Sequence, residues 1–402
     1  MFDDLLLLKK GGRVAYHGAL GNNSRTLIDY FESRGAPQIE LGDNPANWIL
    51  RVMQDESVGD PVEIYEESVI YASMKKELES LVDSPDLETK IEFEREFAAS
   101  KTTRQYLTNK RLRTIYWRSP TYNLGRLMVS LIMACLLGSV FILERHKTTY
   151  TEADIRARIS VIFFSNIILG IMSILSVLPV MTWIRDMFYR HRDAGMYDSA
   201  SIGVALGTAE SAFICISSGL FCVVFLASSG IGFGVERLVG FWGFFTFNSA
   251  LFSYFGQLFV STVKSLKTAT ILCGIYIGIN NLFAGLIIPP QEMTTGFYSI
   301  TYYITPGHYI FEGEITALMY NDLRKVKALD DGDFYQWLVN RGTCMDGQVD
   351  PCVGTQEEYV KYFFGGEFTE DNTARNVIIL GIVLFIARFF TWVALKYIRF
   401  SQ

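Results

Sequence analysis

The apolar positions gather into long runs that begin after Arg126, whereas the first 120 residues mix apolar and charged positions at short range. An α-helix rises about 1.5 Å per residue, so about 20 apolar residues, and no fewer than about 17, cross a hydrocarbon core. Six stretches reach that range. The first is Leu127–Leu143, with Tyr122, Asn123 and Leu124 just outside it. The second lies between Arg158 and Arg185 and includes Ile159–Trp183. The third, between Asp198 and Gly230, is interrupted by Glu210, and the fourth runs from Leu238 to about Val263. The fifth is Thr268–Pro289, and the sixth, Asn376–Leu395, is interrupted by Arg388. Phe297–Tyr320 is semi-apolar but holds Pro306, Gly307, Glu312 and Glu314, and reads as a re-entrant or interfacial segment.

Ahead of the spans, Leu5–Lys9 and Val14–His17 are short apolar strands about Lys10-Gly11-Gly12-Arg13, a hairpin signal. Arg25–Arg34 places Leu27, Ile28 and Phe31 at helical spacing and stops at Gly35. Asn44 before Pro45 predicts a capped helix start. The expected fold is therefore mainly α: an integral membrane bundle of six transmembrane helices with a small α/β piece at the N-terminus.

Charge orients the bundle. Asp55 to Lys101 holds fourteen acidic and five basic residues; Lys101 to Arg118 holds six basic residues and no acidic one. A switch to positive charge just before the first span is a topology signal rather than a nucleic-acid one, and no nucleic-acid partner is expected. Lys101–Arg118, Arg185–Arg192, the Lys264/Lys267 loop and the Lys396/Arg399 tail would all be cytoplasmic, while Asn321–Arg375, with eleven acids against six bases, would be external. An even number of crossings then leaves both termini inside. Composition agrees: 50% of the 402 residues are hydrophobic and 19% charged. Met1-Phe2-Asp3-Asp4-Leu5 is acidic where a secretory leader needs basic residues, so insertion is expected to depend on the first span.

Four of the six cysteines fall in the spans; Cys344 and Cys352 fall in the external segment, with seven residues between them. In an oxidising compartment they predict a short-loop disulfide, the alternative being two free thiols in a poorly ordered loop. Asp330, Asp331 and Asp333 make an acidic turn, read as solvated. No His/Cys/Asp cluster has metal-ligand spacing and no nucleophile–base pair stands out, so neither a metal nor a catalytic site is expected.

Several stretches resemble one family. "FDDLLLLKKGGRVAYHGALG", then the "YFES" and "GAP" elements and "NPANWIL", resemble the end of the nucleotide-binding domain in the G subfamily of ABC transporters, full-size pleiotropic-drug-resistance type. "YWRSPTYNLGRL" resembles that family's amphipathic helix and start of the first span, and "RDMFYRHRDAGMY" its "ERPVFYRERAAGMY" loop between spans two and three. Glu210, "NLFAGLIIPP" and "ALKYIRF" follow in the family's order. The resemblance implies residues 1–55 as the C-terminal remnant of a nucleotide-binding domain, 56–100 as an acidic linker, 101–120 as an amphipathic helix, and 121–402 as an ABC-2 type transmembrane domain with external loop 321–375. It implies ATP-driven export of hydrophobic or amphipathic compounds (drugs, lipids or sterols), with the plasma membrane as the expected location. The partners it implies are the lipid bilayer, a hydrophobic substrate, nucleotide-binding domains and a second transmembrane half.

The sequence departs from that family in its motor. No G-x-x-x-x-G-K-[ST] and no Walker B aspartate strand occurs, so the chain by itself is expected to hold no cofactor and hydrolyse no ATP; ATP and Mg belong to the complete transporter. A fragment of a longer transporter is the expectation, and the alternative is a truncated, non-transporting protein that pairs with and modulates full-length partners.

Carried over residue by residue, the resemblance places a transport pathway at Ser165, Asn166 and Ser173 on the second span and Asn280, Asn281 and Phe283 on the fifth, with an apolar gate at Leu286 and Ile287. It places coupling to the motor at Arg185, Asp186, Tyr189, Arg190 and Arg192. Glu210 is either a partner in relaying motion or a structural hydrogen bond to a neighbouring helix, because a carboxylate facing lipid is costly. Membrane amides are equally common as glue between helices. Arg388 is expected to snorkel or to pair inside the bundle.

Overall fold

The computed structural model describes all residues except 1, 56–58, 84–95, 145–146, 233, 294–295, 321, 323, 331, 346–350 and 401–402. Asp331 of the acidic turn and much of the expected linker thus lie outside the described residues. The chain divides into two compact units, Met1–Glu94 and Arg95–Gln402.

In the first unit, β1 (Asp4–Lys9) and β2 (Arg13–Ala19) form an antiparallel hairpin. Gly11 and Gly12 turn it with φ of 95° and 79°, a backbone region that favours glycine. Four helices follow: α1 (Arg25–Glu32), α2 (Pro45–Val52), α3 (Pro61–Glu66) and α4 (Val69–Asp83). The Asn44 side chain accepts the Ala46 N–H at 2.9 Å, capping α2 ahead of its proline. Tyr16, Phe31, Trp48, Ile49 and Tyr65 share one core. Tyr65 belongs to the stretch read as linker, so that stretch contributes helices and core rather than a tether alone.

The second unit holds α5 (Lys101–Trp117), α6 (Pro120–Ser139), β3 (Thr149–Thr151), α7 (Glu152–Asp193), α8 (Ser199–Ser229), α9 (Val235–Thr262) and α10 (Leu266–Leu282). After these come α11 (Gly296–Ile304), α12 (Pro306–Met319), β4 (Lys325–Lys327), α13 (Asp333–Asn340), β5 (Val353–Thr355), α14 (Gln356–Phe363) and α15 (Thr373–Tyr397). Helices α6, α7, α8 and α9 and the stretch Glu370–Tyr397, which contains α15, are long and apolar enough to cross a membrane. α10, the expected fifth span, has 17 residues. It stops at Leu282 because Phe283–Pro289 leaves the helix through Gly285, whose φ is 99°.

Three expectations are corrected. Arg185–Arg192 is not a loop but the last two turns of α7, a helix of 42 residues and about 63 Å. No glycine or proline stands between Val180 and Ala194, so the helix runs on until Gly195 turns the chain at φ 66°. Arg190, His191 and Arg192 in its last turn suit the negative end of the helix dipole. Second, α6 starts at Pro120, which takes in Tyr122, Asn123 and Leu124. Third, the segment expected as an external loop is a small α/β cap. β3 pairs in parallel with β4 and β4 antiparallel with β5. Phe334, Leu338, Tyr359, Phe364 and Phe368 continue the core formed by Ile155, Ile159, Phe225 and Phe311.

Phe297–Tyr320 is two helices broken ahead of Pro306, and α12 is buried on nearly every side. Glycine permits this close packing: a Cβ on Gly307 would lie 2.6 Å from the Asn280 carbonyl oxygen.

Candidate functional site

Three buried polar clusters hold the bundle together, each built from residues that interrupt an apolar run. In the first, Arg126 of α6 reaches α7, α8 and α9 at once. Its Nη1 donates to Glu210 Oε1 at 2.7 Å and to Tyr122 OH at 2.7 Å, and its Nη2 donates to Ser173 Oγ and Ser253 Oγ, each at 3.0 Å. Tyr122 OH donates to the same Glu210 oxygen. Both ionic side chains are almost fully buried, 4% and 0% exposed, so each neutralises a charge the bundle could not otherwise hold. Arg388 of α15 donates to Gln257 Oε1 and to the Gly203 carbonyl, with its guanidinium 4.8 Å over the Tyr254 ring.

The second cluster joins α7 to α12: Asn166 Nδ2 donates to Glu314, and Asn248 Nδ2 donates to the Asn166 carbonyl at 3.2 Å. In the third, Glu312 Oε2 accepts from Asn376 Nδ2 at 2.8 Å and Arg375 Nη2 at 3.2 Å, and Oε1 accepts from Asn372 Nδ2 at 2.7 Å, which fixes the start of α15 against α12.

The two ends of the bundle are closed differently. At the cap end, Arg324 donates to the Gly230 carbonyl at 3.0 Å, to the Ile231 carbonyl and to Tyr150 OH at 3.1 Å, tying the α8–α9 turn and the α6–α7 connection to the cap. Asp322 accepts from Arg324 Nε at 2.9 Å and pairs with Arg237 Nη1 at 3.3 Å. Burial alone would raise the Asp322 carboxyl, but the Arg324 hydrogen bonds and both guanidinium charges outweigh it and hold it below the ordinary aspartate value. Cys344 and Cys352 are joined by a disulfide, with Cα atoms 5.9 Å apart.

At the other end, Arg185 Nη1 donates to the Val260 and Val263 carbonyls at 2.7 Å each and Nη2 to the Lys264 carbonyl at 3.2 Å. These are the orphan acceptors at the end of α9. Arg192 Nη1 donates to the Leu395 carbonyl at 3.1 Å, which does the same for α15. Tyr189 lies half-buried between, its ring 6.4 Å from Phe400 and 5.0 Å under the Arg192 guanidinium. Arg190 and Asp193 are exposed, and the Asp186 side chain is 40% exposed. The end of α7 is thus a charged surface backed by two neighbouring helix termini.

Residues 105–319 match the family described as ABC-2 type transporter. The chain belongs to that family. Three similar proteins are ABC transporter G family members. Member 31 of Arabidopsis thaliana is 26% identical over 406 residues, covering 100% of this chain and 27% of that protein. Member 37 of the same plant is 32% identical over 333 residues, 81% and 22% respectively, and member 51 of Oryza sativa subsp. japonica is 29% identical over 374 residues, 90% and 26%. The chain spans about a quarter of the length of these relatives. It is an ABC-2 type membrane region, similar along most of its length to these G family members.

Set against this ABC-2 framework, most of the residues read as a pathway are engaged in hydrogen bonds or packing inside the bundle. Ser165 spends its hydroxyl on the Ile162 carbonyl at 2.7 Å, and Asn281 Nδ2 donates to the Ile277 carbonyl at 2.8 Å, each within its own helix. Ser173 serves Arg126, Asn166 serves Glu314, and Asn280 packs on Gly307. Phe283 is buried with Met293 and Tyr302; Leu286 packs on the main core, and Ile287 is exposed. What α10 turns outward is instead Ile271, Ile275, Ile279 and Leu282, a stripe whose i, i+4, i+8 spacing was visible in the sequence. Arg126 was also missed. It and Glu210 are charges of opposite sign among apolar helices, which is the signal that could have paired them. Among the described residues no group of three or more His, Cys, Asp or Glu is arranged to hold a metal ion.

Proposed function

We propose that this chain is the membrane-spanning half of an ATP-driven exporter of hydrophobic or amphipathic compounds. It crosses the plasma membrane six times, with both termini cytoplasmic. One observation carries the reading: Arg190 and Asp193 stand exposed, with Asp186 half-exposed beside them, where Arg185 and Arg192 lock the end of α7 to the ends of α9 and α15. A nucleotide-binding domain docked on those charges would move three spanning helices as one body. Glu210 would pass that motion to α6 through Arg126. The outward isoleucine stripe of α10 would face the pathway shared with a second half, and an apolar lining suits apolar cargo better than ions or sugars.

Six crossings are favoured by where the connections lie. β3, the α8–α9 turn and β4 are tied together at one end, and the α7, α9 and α15 termini at the other. α9 ends opposite the cap and the chain must return to it, which α10 does. Its 17 residues rise about 26 Å, short for a crossing, with Phe283–Pro289 completing the path.

The test is ATP-driven uptake of a fluorescent amphipathic compound into inside-out vesicles carrying the complete transporter. Uptake should vanish when the catalytic carboxylate of the nucleotide-binding domain is replaced by the amide. Uptake that survives that replacement overturns the reading.

A further inference from the structure

We infer that the elbow between α5 and α6 binds an anionic phospholipid of the surrounding leaflet. Two grooves flank α5. One, of about 780 Å³, lies against α7 and is lined by Ile115, Leu175, Pro179, Val180 and Trp183, with Arg118 at its rim. The other, of about 730 Å³, lies against α8 and is lined by Trp117, Phe213 and Ile216, with Lys110, Arg113 and again Arg118. Both fall in the size range of sites that hold drug-sized ligands, about 300–1,000 Å³, with room for an acyl chain.

Charge selects the occupant. Residues 101–118 carry six basic side chains and no acidic one. Arg104 has Asp198 at 3.6 Å and Arg111 meets His191 Nδ1 at 3.2 Å, but among the described residues no carboxylate pairs with Lys110, Arg113 or Arg118. Three uncompensated cations rim two apolar grooves. Trp117 is 76% exposed and Trp183 56%, the pairing of an apolar body with a polar edge that suits the headgroup layer. A phosphodiester accepts hydrogen bonds from a guanidinium fork, and a further negative charge on the headgroup meets the remaining two cations. A zwitterionic lipid would bring a cation of its own into that field. A soluble anion such as a nucleotide would leave the apolar floor empty.

The site depends on the exporter reading only in placing the elbow at a headgroup layer. Its test therefore uses no ATP. The complete transporter is extracted from vesicles of equal parts phosphatidylcholine and phosphatidylserine, and retained lipid is counted by native mass spectrometry. Wild type should retain phosphatidylserine over phosphatidylcholine. Arg118→Gln, a change at an exposed position, should lower retained phosphatidylserine about fivefold, the weight of one basic side chain at an anionic leaflet. Val180→Trp fills the groove beside α7, leaves every charge in place and should lower it as well. Equal retention of the two lipids by wild type, or retention unchanged in either variant, overturns the site. A measurement free of variants weighs equally: brominated phosphatidylserine should quench tryptophan fluorescence more than brominated phosphatidylcholine, and equal quenching also overturns it. A transporter that keeps this preference but moves no cargo refutes the export reading alone.

Discussion

Arg126 and Glu210 show how a membrane bundle accommodates charge: each is tolerated because the other is there, and three further oxygens complete the guanidinium's bonds. Removing one member of such a buried pair strands its partner and costs about 3–5 kcal/mol. Glu210→Ala should therefore lower the melting temperature of the detergent-solubilised protein sharply, and Glu210→Gln, which keeps an acceptor but strands the same guanidinium, should cost most of that loss; a Glu210→Gln protein as stable as wild type would show that the charge pair is not what matters. Asp322 gives a pH signature. Its carboxyl titrates lower in the fold than the ordinary value of 3.8, so the stability it contributes is full above that value and is lost as pH falls through the folded pKa. Melting temperature in Asp322→Asn should be lower near neutrality, and its deficit against wild type should shrink below about pH 4. A constant deficit would contradict the pairing with Arg324 and Arg237. Both clusters were half legible in the sequence. A lone charge in an apolar run announces itself, but its partner is 84 positions away and only the packing of helices brings the two together.

At the scale of the element, the end of α7 separates two jobs that a motif match lumps together. Arg185 caps α9 from a buried position; Arg190 projects from the same helix into the open. Arg185→Ala should leave three carbonyls without their donor and cost about 1–3 kcal/mol, read as faster hydrogen exchange over residues 260–267. Arg190→Ala should leave exchange there unchanged and instead weaken ATP-dependent transport. Matching effects of the two substitutions on both readouts would refute the division. Helix positions followed directly from the apolar runs because a crossing needs so many consecutive apolar residues. Helix ends did not, since a helix continues past the membrane until a glycine stops it, as α7 does at Gly195. The cap was illegible for another reason. Its strand β3 pairs with β4, Thr149 beside Lys325, and no local period encodes so distant a pairing.

For the whole molecule, everything turns on where the chain lies relative to the bilayer. Apolar run length and charge bias indicated the bundle from the outset. The fifth crossing is the weakest in length, because α10 gives way to Phe283–Pro289 before it spans comfortably. Yet it decides on which side the cap sits. The direct measurement places single cysteines at Leu329 in the cap and at Met196 just beyond α7, both exposed, in the complete protein with its free cysteines replaced. A membrane-impermeant maleimide is then applied to intact cells. Six crossings with cytoplasmic termini predict labelling of Leu329→Cys at once and of Met196→Cys only after permeabilisation; labelling of both from the same side would contradict them.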